Sequence, residues 1–112
     1  MSYDVALRLY VDAGGQEPFT AWPADIGNYT SNVSGMWTKA LGYDLCELDN
    51  KTAGDCLADL QRAVGAMEGD PATYEAMNPR NGWGTYEGAS DYLRRLRDAC
   101  AAYPKATIRI SC

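Results

Sequence analysis

The sequence predicts an α+β fold in which three to four helices cover a small antiparallel sheet of about three strands, in the order β-β-α-α-α-β. Apolar and polar residues alternate near both ends of the sequence, which is typical of half-buried strands. Between them, apolar residues recur every three or four positions, which indicates amphipathic helices. The 112 residues, of which 46% are hydrophobic, suit a single domain, residues 1–112, with one core.

The outer strands are predicted at residues 3–11 and 106–111. One face of the first strand is apolar and carries Tyr3, Val5, Leu7, Leu9 and Val11. We expect the two strands to pair and the helices to cover one face of the resulting sheet. The uncovered face, which carries Arg8 and Tyr10, is then a candidate dimer surface.

A turn, a weaker strand and a loop are predicted next. Residues 12–15 end in two glycines, which accept a positive φ at low cost and favour a turn. Residues 17–26 form at best an edge strand, because Pro18 and Pro23 cannot donate to a sheet ladder. The run Gly-Asn-Tyr-Thr-Ser at residues 27–31 predicts a polar loop that ends at a helix N-cap.

The first helix is predicted from Asn32 to Leu41. Its apolar residues fall on one stripe, and Gly42 is a natural C-cap. Trp37 lies on this stripe, so we expect it in the core rather than at a binding surface.

Three more helical segments are predicted. A second helix opens with a capping arrangement of Thr52 and Asp55 and runs to about Met67. A short helical turn follows at residues 72–77, and a final helix spans about residues 85–103. The apolar stripe of this final helix consists of Tyr86, Ala89, Leu93, Leu96, Cys100 and Tyr103.

Charge and hydropathy narrow the classes of partner. The net charge is −5, which disfavours nucleic-acid polymers but not a small nucleotide, because a few local donors can neutralise one or two phosphates. No run approaches about 18 consecutive apolar residues, so no membrane span is expected. The opening residues do not resemble a secretory signal, so the predicted location is the cytoplasm.

The sequence favours a binding protein over an enzyme. It contains no histidine and no recognised nucleophile or phosphate-loop motif. The cysteines, Cys46, Cys56, Cys100 and Cys112, form no C-x-x-C pair. We therefore expect no metal site and no cofactor, and we expect the cysteines to be buried or free thiols.

Two segments interrupt the apolar patterns and are candidate binding elements. The first, residues 28–32, offers the side chains of Asn28, Thr30 and Asn32 at a helix start, where free N–H groups attract anions. The alternative is that these residues only cap the helix.

The second segment, residues 78–86, also precedes a helix. It contains Arg80, which could clamp a phosphate, together with Asn81, Trp83 and Tyr86. Trp83 lies between two glycines, which suits a rigid turn or the close approach of a ligand. The alternative is a tryptophan that closes one end of the core.

The two segments also carry a resemblance. The pattern N-x-T-x-N-V-x-x-M-W from Asn28 to Trp37 and the pattern N-P-x-N-G-W-G-x-Y-E-G-A from Asn78 to Ala89 resemble a family of small uncharacterised bacteriophage and prophage proteins. The opening S-Y-D-V and the closing A-T-I-R-I-S are similar to the same family. The resemblance implies a phage accessory protein that acts in the bacterial cytosol.

Three functional hypotheses follow. The leading one is a homo-oligomeric protein that traps a small nucleotide-type immune signal, such as a cyclic nucleotide or a cyclic ADP-ribose derivative. The second is an inhibitor that binds a host defence protein through the uncovered sheet face or the edge around Trp22. The third is a small hydrolase that uses Asp or Glu.

Overall fold

The computed structural model describes residues 2–12, 14–15 and 17–112. Strands and helices follow the predicted order, so the α+β fold class is confirmed. The elements are β1 (Ser2–Val11), β2 (Phe19–Thr30), a first 3₁₀ helix (Ser31–Val33), α1 (Ser34–Leu41), a second 3₁₀ helix (Leu45–Leu48), α2 (Ala53–Gly69), α3 (Pro71–Glu75), α4 (Tyr86–Ala102) and β3 (Thr107–Ser111).

The sheet is antiparallel, with strand order β2-β1-β3, so β1 pairs with β3 as predicted. Its inner face is the predicted apolar face of β1, where Tyr3, Val5 and Leu7 are buried. The predicted turn before β2 contains Gly14 and Gly15, both at positive φ, whereas its Ala13 lies outside the described residues.

β2 is an edge strand, as its prolines predicted. Leu7 pairs with Ala24 and Leu9 pairs with Ala21, so Arg8 lies opposite the two residues Trp22 and Pro23. A bulge of this kind leaves a backbone position unpaired, which is where a proline without an N–H group is tolerated.

The predicted loop at residues 27–31 is wrong. Residues 27–30 continue β2, because Asn28 pairs with Asp4, Tyr29 pairs with Tyr3, and Thr30 pairs with Ser2. This pairing joins positions far apart in the sequence, so local polarity gave no sign of it. The segment is therefore held rigidly by the central strand of the sheet.

The helices cover the inner face of the sheet and build the core with it. Trp37 on α1 is fully buried, and Gly42 ends that helix at a φ of 91°, both as predicted. The predicted capping by Thr52 is wrong, since its side chain makes no capping hydrogen bond. Instead, the N–H groups of Ala53 and Gly54 donate to carbonyls of the segment before β3.

The prediction of four unpaired thiols is wrong for Cys46 and Cys112, which form a disulfide. The fold brings the second 3₁₀ helix beside the residue that follows β3, with a Cα–Cα distance of 6.5 Å across 66 residues of sequence. This distance suits a disulfide, and no spacing rule could have predicted it. Cys56 and Cys100 are free and buried, as expected.

None of the helices in residues 2–12, 14–15 and 17–112 combines the length and the hydropathy required to cross a bilayer.

The distal half of the β1–β2 hairpin, Leu9–Val11 with Phe19–Ala21, extends past β3, whose pairing with β1 ends at Arg8.

Candidate functional site

The first predicted binding segment lies at the end of β2 and in the first 3₁₀ helix. Thr30 is the N-cap of that helix and accepts a hydrogen bond from the Asn32 N–H at 3.3 Å. The Asn28 amide donates to the Ser2 hydroxyl on the neighbouring strand at 2.8 Å. Strand pairing and capping thus fix the backbone of this segment.

The second predicted binding segment is the loop between α3 and α4. The Asn81 side-chain oxygen accepts a hydrogen bond from the Trp83 N–H at 2.9 Å, which tightens the turn. Gly82 and Gly84 on either side have φ values of 77° and 97°, a region that glycine adopts at little cost. The result is that Trp83 points outward, with 69% of its surface exposed.

The two segments contact each other directly. The Tyr29 hydroxyl accepts a hydrogen bond from the Thr85 N–H at 3.1 Å. Gly84 packs so closely on the first segment that a Cβ there would lie 2.6 Å from Thr30 Cγ2 and 2.8 Å from Val33 Cγ1. Only a glycine fits at position 84, and its close packing holds the two segments together.

Between the segments lies a concave cavity of about 600 Å³, which we call the motif cavity. It is lined by Ser2, Asn28, Tyr29, Thr30, Asn32, Asn81, Trp83 and Gly84. Asn28, Thr30, Asn32, Asn81 and Trp83 were predicted from the sequence, and the fold brings them to this one place. Tyr29 was visible within the first motif, whereas Ser2 could be found only from the strand register.

An aromatic cluster of Tyr3, Tyr29, Trp37 and Tyr92 adjoins the motif cavity through Tyr29, which lines it, and we call this cluster the floor of the cavity. Trp37 is 5.3 Å from Tyr3 and 5.4 Å from Tyr92, measured between ring centroids, and Tyr29 stacks on Tyr92 at 5.7 Å. The Trp37 indole N–H donates to the Ala89 carbonyl at 3.0 Å. Packing of this kind makes a rigid floor.

Tyr92 locks the floor to the sheet. Its hydroxyl donates to the Gly27 carbonyl at 2.6 Å. Burial, with the nearby Asp4 carboxylate adding to it, raises the pKa of Tyr92 above its ordinary value, so the donor proton is retained.

Two predicted ligand-binding residues do not line the motif cavity. Tyr86 is buried, donates its hydroxyl to the Met67 carbonyl at 2.6 Å and stacks on Tyr74, so its side chain is held in the core. It belongs to the apolar stripe of α4, and that pattern was the better indicator. Arg80 is exposed on the same loop as Trp83 but outside the lining.

Three N–H groups at the start of α4, where the sequence suggested an anion site, have acceptors within the protein. The Thr85 N–H donates to Tyr29, the Tyr86 N–H donates to the Asn78 side chain at 2.8 Å, and the Gly88 N–H donates to the Thr85 hydroxyl at 3.1 Å. These N–H groups already have acceptors within the protein, so a phosphate would have to displace those acceptors.

A second, shallower concavity of about 400 Å³ lies on the uncovered face of the sheet. It is lined by Asp4, Ala6, Arg8, Trp22, Arg109, Ile110 and Ser111. Trp22 is 56% exposed, and Arg109 is held by Asp49 at 3.1 Å. This face combines an aromatic ring with charges of both signs.

Across the part of the chain that the structure describes, no three His, Cys, Asp or Glu side chains come together as a metal site would require. No protein-family model matches the chain, and no curated protein or solved structure is significantly similar to it. The resemblance to bacteriophage proteins therefore stays a prediction that depends on the two motifs.

Proposed function

We propose that this chain is a bacteriophage accessory protein that binds and sequesters a small nucleotide-type immune signal in the bacterial cytosol. The observation that carries the proposal is the meeting of two motif segments, some 50 residues apart in the sequence, in one cavity. Residues that only cap helices or fill the core need not meet at a shared concave surface. Convergence of this kind supports a ligand-binding role.

The chemistry of the motif cavity suits a nucleotide. The exposed Trp83 ring offers a face on which a base can stack. Asn28, Asn32 and Asn81 place amide donors and acceptors around it. The volume of about 600 Å³ lies within the range of about 300–1,000 Å³ that is typical of small-molecule sites.

The lining groups also support binding rather than turnover. They are amides, hydroxyls, aromatic rings and a glycine, which orient a ligand but are weak general acids and bases near neutral pH. A rigid aromatic floor preorganises them, which lowers the entropic cost of binding.

Calorimetry against cyclic dinucleotides, cyclic mononucleotides and ADP-ribose derivatives tests the proposal. We expect one class to bind, and we expect Trp83→Ala to weaken that binding about 5- to 150-fold, the effect of losing a stacking contact of about 1–3 kcal/mol. Trp22→Ala is the matched control, because it removes another exposed tryptophan, one that does not line the motif cavity. Binding by none of the compounds, or equal losses in both variants, would contradict the proposal.

Sequestration and hydrolysis are separated by the fate of the ligand. A sequestering protein releases the ligand unchanged when it is denatured, and chromatography of the released material shows this. A product that accumulates with time, and that a carboxylate-to-amide change abolishes, would favour a small hydrolase instead.

A second candidate function is the binding of a host defence protein through the uncovered sheet face. The observation that favours it is the exposure of Tyr10 (73%) and Trp22 (56%), because large exposed aromatic side chains are typical of protein interfaces. A host protein that is captured stoichiometrically by the Arg80→Ala, Trp83→Ala double variant, but not by Trp22→Ala, would support this function over sequestration.

The same face is the proposed contact between copies of this chain in a homo-oligomer. Light scattering coupled to gel filtration gives the mass in solution. We expect a mass above that of one 12.2 kDa chain, and a shift toward the monomer when Tyr10 and Trp22 are both changed to Ser.

A further inference from the structure

The motif cavity is polar but carries no charge. Among its lining residues, all within the described part of the chain, there is no Lys, Arg, Asp or Glu. Proteins hold phosphates with Arg, Lys or free backbone N–H groups, which are the strong donors for these anions. The side chains of this cavity therefore cannot compensate the charge of an enclosed phosphate.

The neighbouring helix does not supply the missing charge. Beyond the occupied N–H groups of Thr85, Tyr86 and Gly88, the first turn of α4 carries Glu87. A carboxylate at this position interacts favourably with the helix dipole and repels a second anion. The cavity is thus unfavourable for the phosphate end of a nucleotide.

The same cavity offers hydrogen-bond donors and acceptors that suit an uncharged heterocycle. The side-chain amide of Asn32 is exposed and makes no hydrogen bond within residues 2–12, 14–15 and 17–112, so both its donor and its acceptor are available. Asn28 donates to Ser2 and keeps its oxygen as an acceptor. Asn81 accepts from the Trp83 N–H and keeps its amino group as a donor.

An asparagine amide presents its donor and acceptor side by side, which matches the N6–H and N7 edge of adenine. Building on the proposed function, we infer that the motif cavity binds the adenine end of an adenine nucleotide and leaves the phosphates in solvent. Trp83 stacks on the base, and the Asn32 amide pairs with its N6–H and N7 edge. The selectivity of the protein thus resides in the base, not in the phosphates.

Calorimetry with adenosine, AMP, ADP-ribose, inosine and inosine monophosphate tests this inference. The affinities for adenosine and AMP should agree within about threefold and change little between about 50 and about 500 mM salt, because no phosphate contact is lost. The inosine compounds should bind about tenfold or more weakly, since an oxygen replaces the N6 amino group. Asn32→Ala should weaken adenosine binding about tenfold and remove the preference over inosine. Phe19→Ala, which removes an exposed aromatic ring outside the cavity lining, should change neither.

The possible failures are distinguishable. AMP that binds far more tightly than adenosine, with a steep salt dependence, would overturn this inference while leaving the proposed function in place. Equal affinity for adenosine and inosine, or an adenine preference that survives in Asn32→Ala, would also overturn it. A folded protein that binds no nucleoside or nucleotide would contradict the proposed function itself.

Discussion

Gly88 allows the Tyr29 ring to lie directly against the first turn of α4. A Cβ at position 88 would collide with the Tyr29 hydroxyl and ring. Because Tyr29 also lines the motif cavity and stacks on Tyr92, this contact connects the cavity wall to its floor. The position of the Tyr29 side chain in the site thus depends on the absence of a side chain at position 88.

Gly88→Ala is therefore expected to destabilise the protein. An alanine favours a helix over a glycine by about 1 kcal/mol, but overpacking against Tyr29 costs about 1–3 kcal/mol. The control is Gly65→Ala on α2, where a Cβ meets nothing within 4 Å and a gain of about 0.5–1 kcal/mol is expected. Urea denaturation measures both free energies of unfolding. A variant at position 88 that is as stable as the one at 65 would contradict the contact.

At the residue scale, the sequence predicted part of the site. Trp83 and Asn81 were recognisable because the Asn-Gly-Trp-Gly run breaks the helical pattern and forces a turn. Tyr86 is buried and does not line the cavity, and its place on an apolar stripe had indicated this burial. Ser2 had no local signal, since only its pairing with Thr30 brings it to the cavity.

At the scale of elements, the N-terminus of α4 serves to hold the site together. Thr85 accepts from the Gly88 N–H with its side chain, while its own N–H donates to Tyr29. Asn78 satisfies the N–H of Tyr86. The helix therefore begins where the second motif segment meets the first, and its caps fix the position of Thr85 beside Tyr29.

Thr85→Ala is expected to lower the free energy of unfolding by about 0.5–2 kcal/mol, because the Gly88 N–H loses its capping acceptor. Thr85→Ser should restore most of the loss, since a serine hydroxyl caps equally well. Thermal and urea denaturation of the two variants provide the comparison. Equal destabilisation by Ala and Ser would show that the methyl group, not the cap, is what matters.

Elements that depend on a local sequence pattern were predicted, and those that depend on pairing with a distant segment were missed. The alternation in β1 and the apolar stripe of α4 depend on spacing alone, and both predictions are confirmed except at Tyr103, which is exposed. The final third of β2 was taken for a loop because its strand character comes from pairing with Ser2–Asp4, not from composition. A polar segment becomes a strand when a neighbour supplies its hydrogen bonds.

At the scale of the whole molecule, the disulfide connects the second 3₁₀ helix to the residue after β3. It closes a loop of 66 residues that contains α2, α3 and α4. A closure of this length restricts the unfolded chain strongly. The proposed cytosolic location bears on this bond, because bacterial cytosol keeps most thiols reduced. In the cytosol, the free energy of unfolding would be that of the protein with both cysteines reduced.

Cys112→Ser should therefore lower the free energy of unfolding by about 2–5 kcal/mol under oxidising conditions. In a reducing buffer the variant and the parent should be equally stable, which serves as the control.

Alkylation of the thiols offers an independent check of the disulfide. Burial raises the pKa of Cys56, and that of Cys100 to about 12, so only Cys46 and Cys112 should react rapidly in the folded, reduced protein. Rapid reaction at Cys46 and Cys112 before any reduction would contradict the disulfide.

Parts of both edges of the sheet are protected against pairing with an added strand. On β2, Pro23 offers no N–H, and the Ile26 carbonyl is taken by the Arg95 guanidinium at 2.8 Å. On the other side, residues 50–52 run along β3 and exchange hydrogen bonds with Ile108. Strand-by-strand addition of the kind that builds fibrils has no partner at these positions. The proposed role of titrating a signal requires a high concentration of this chain in the cell, and the protected positions lower its tendency to associate there through the backbone.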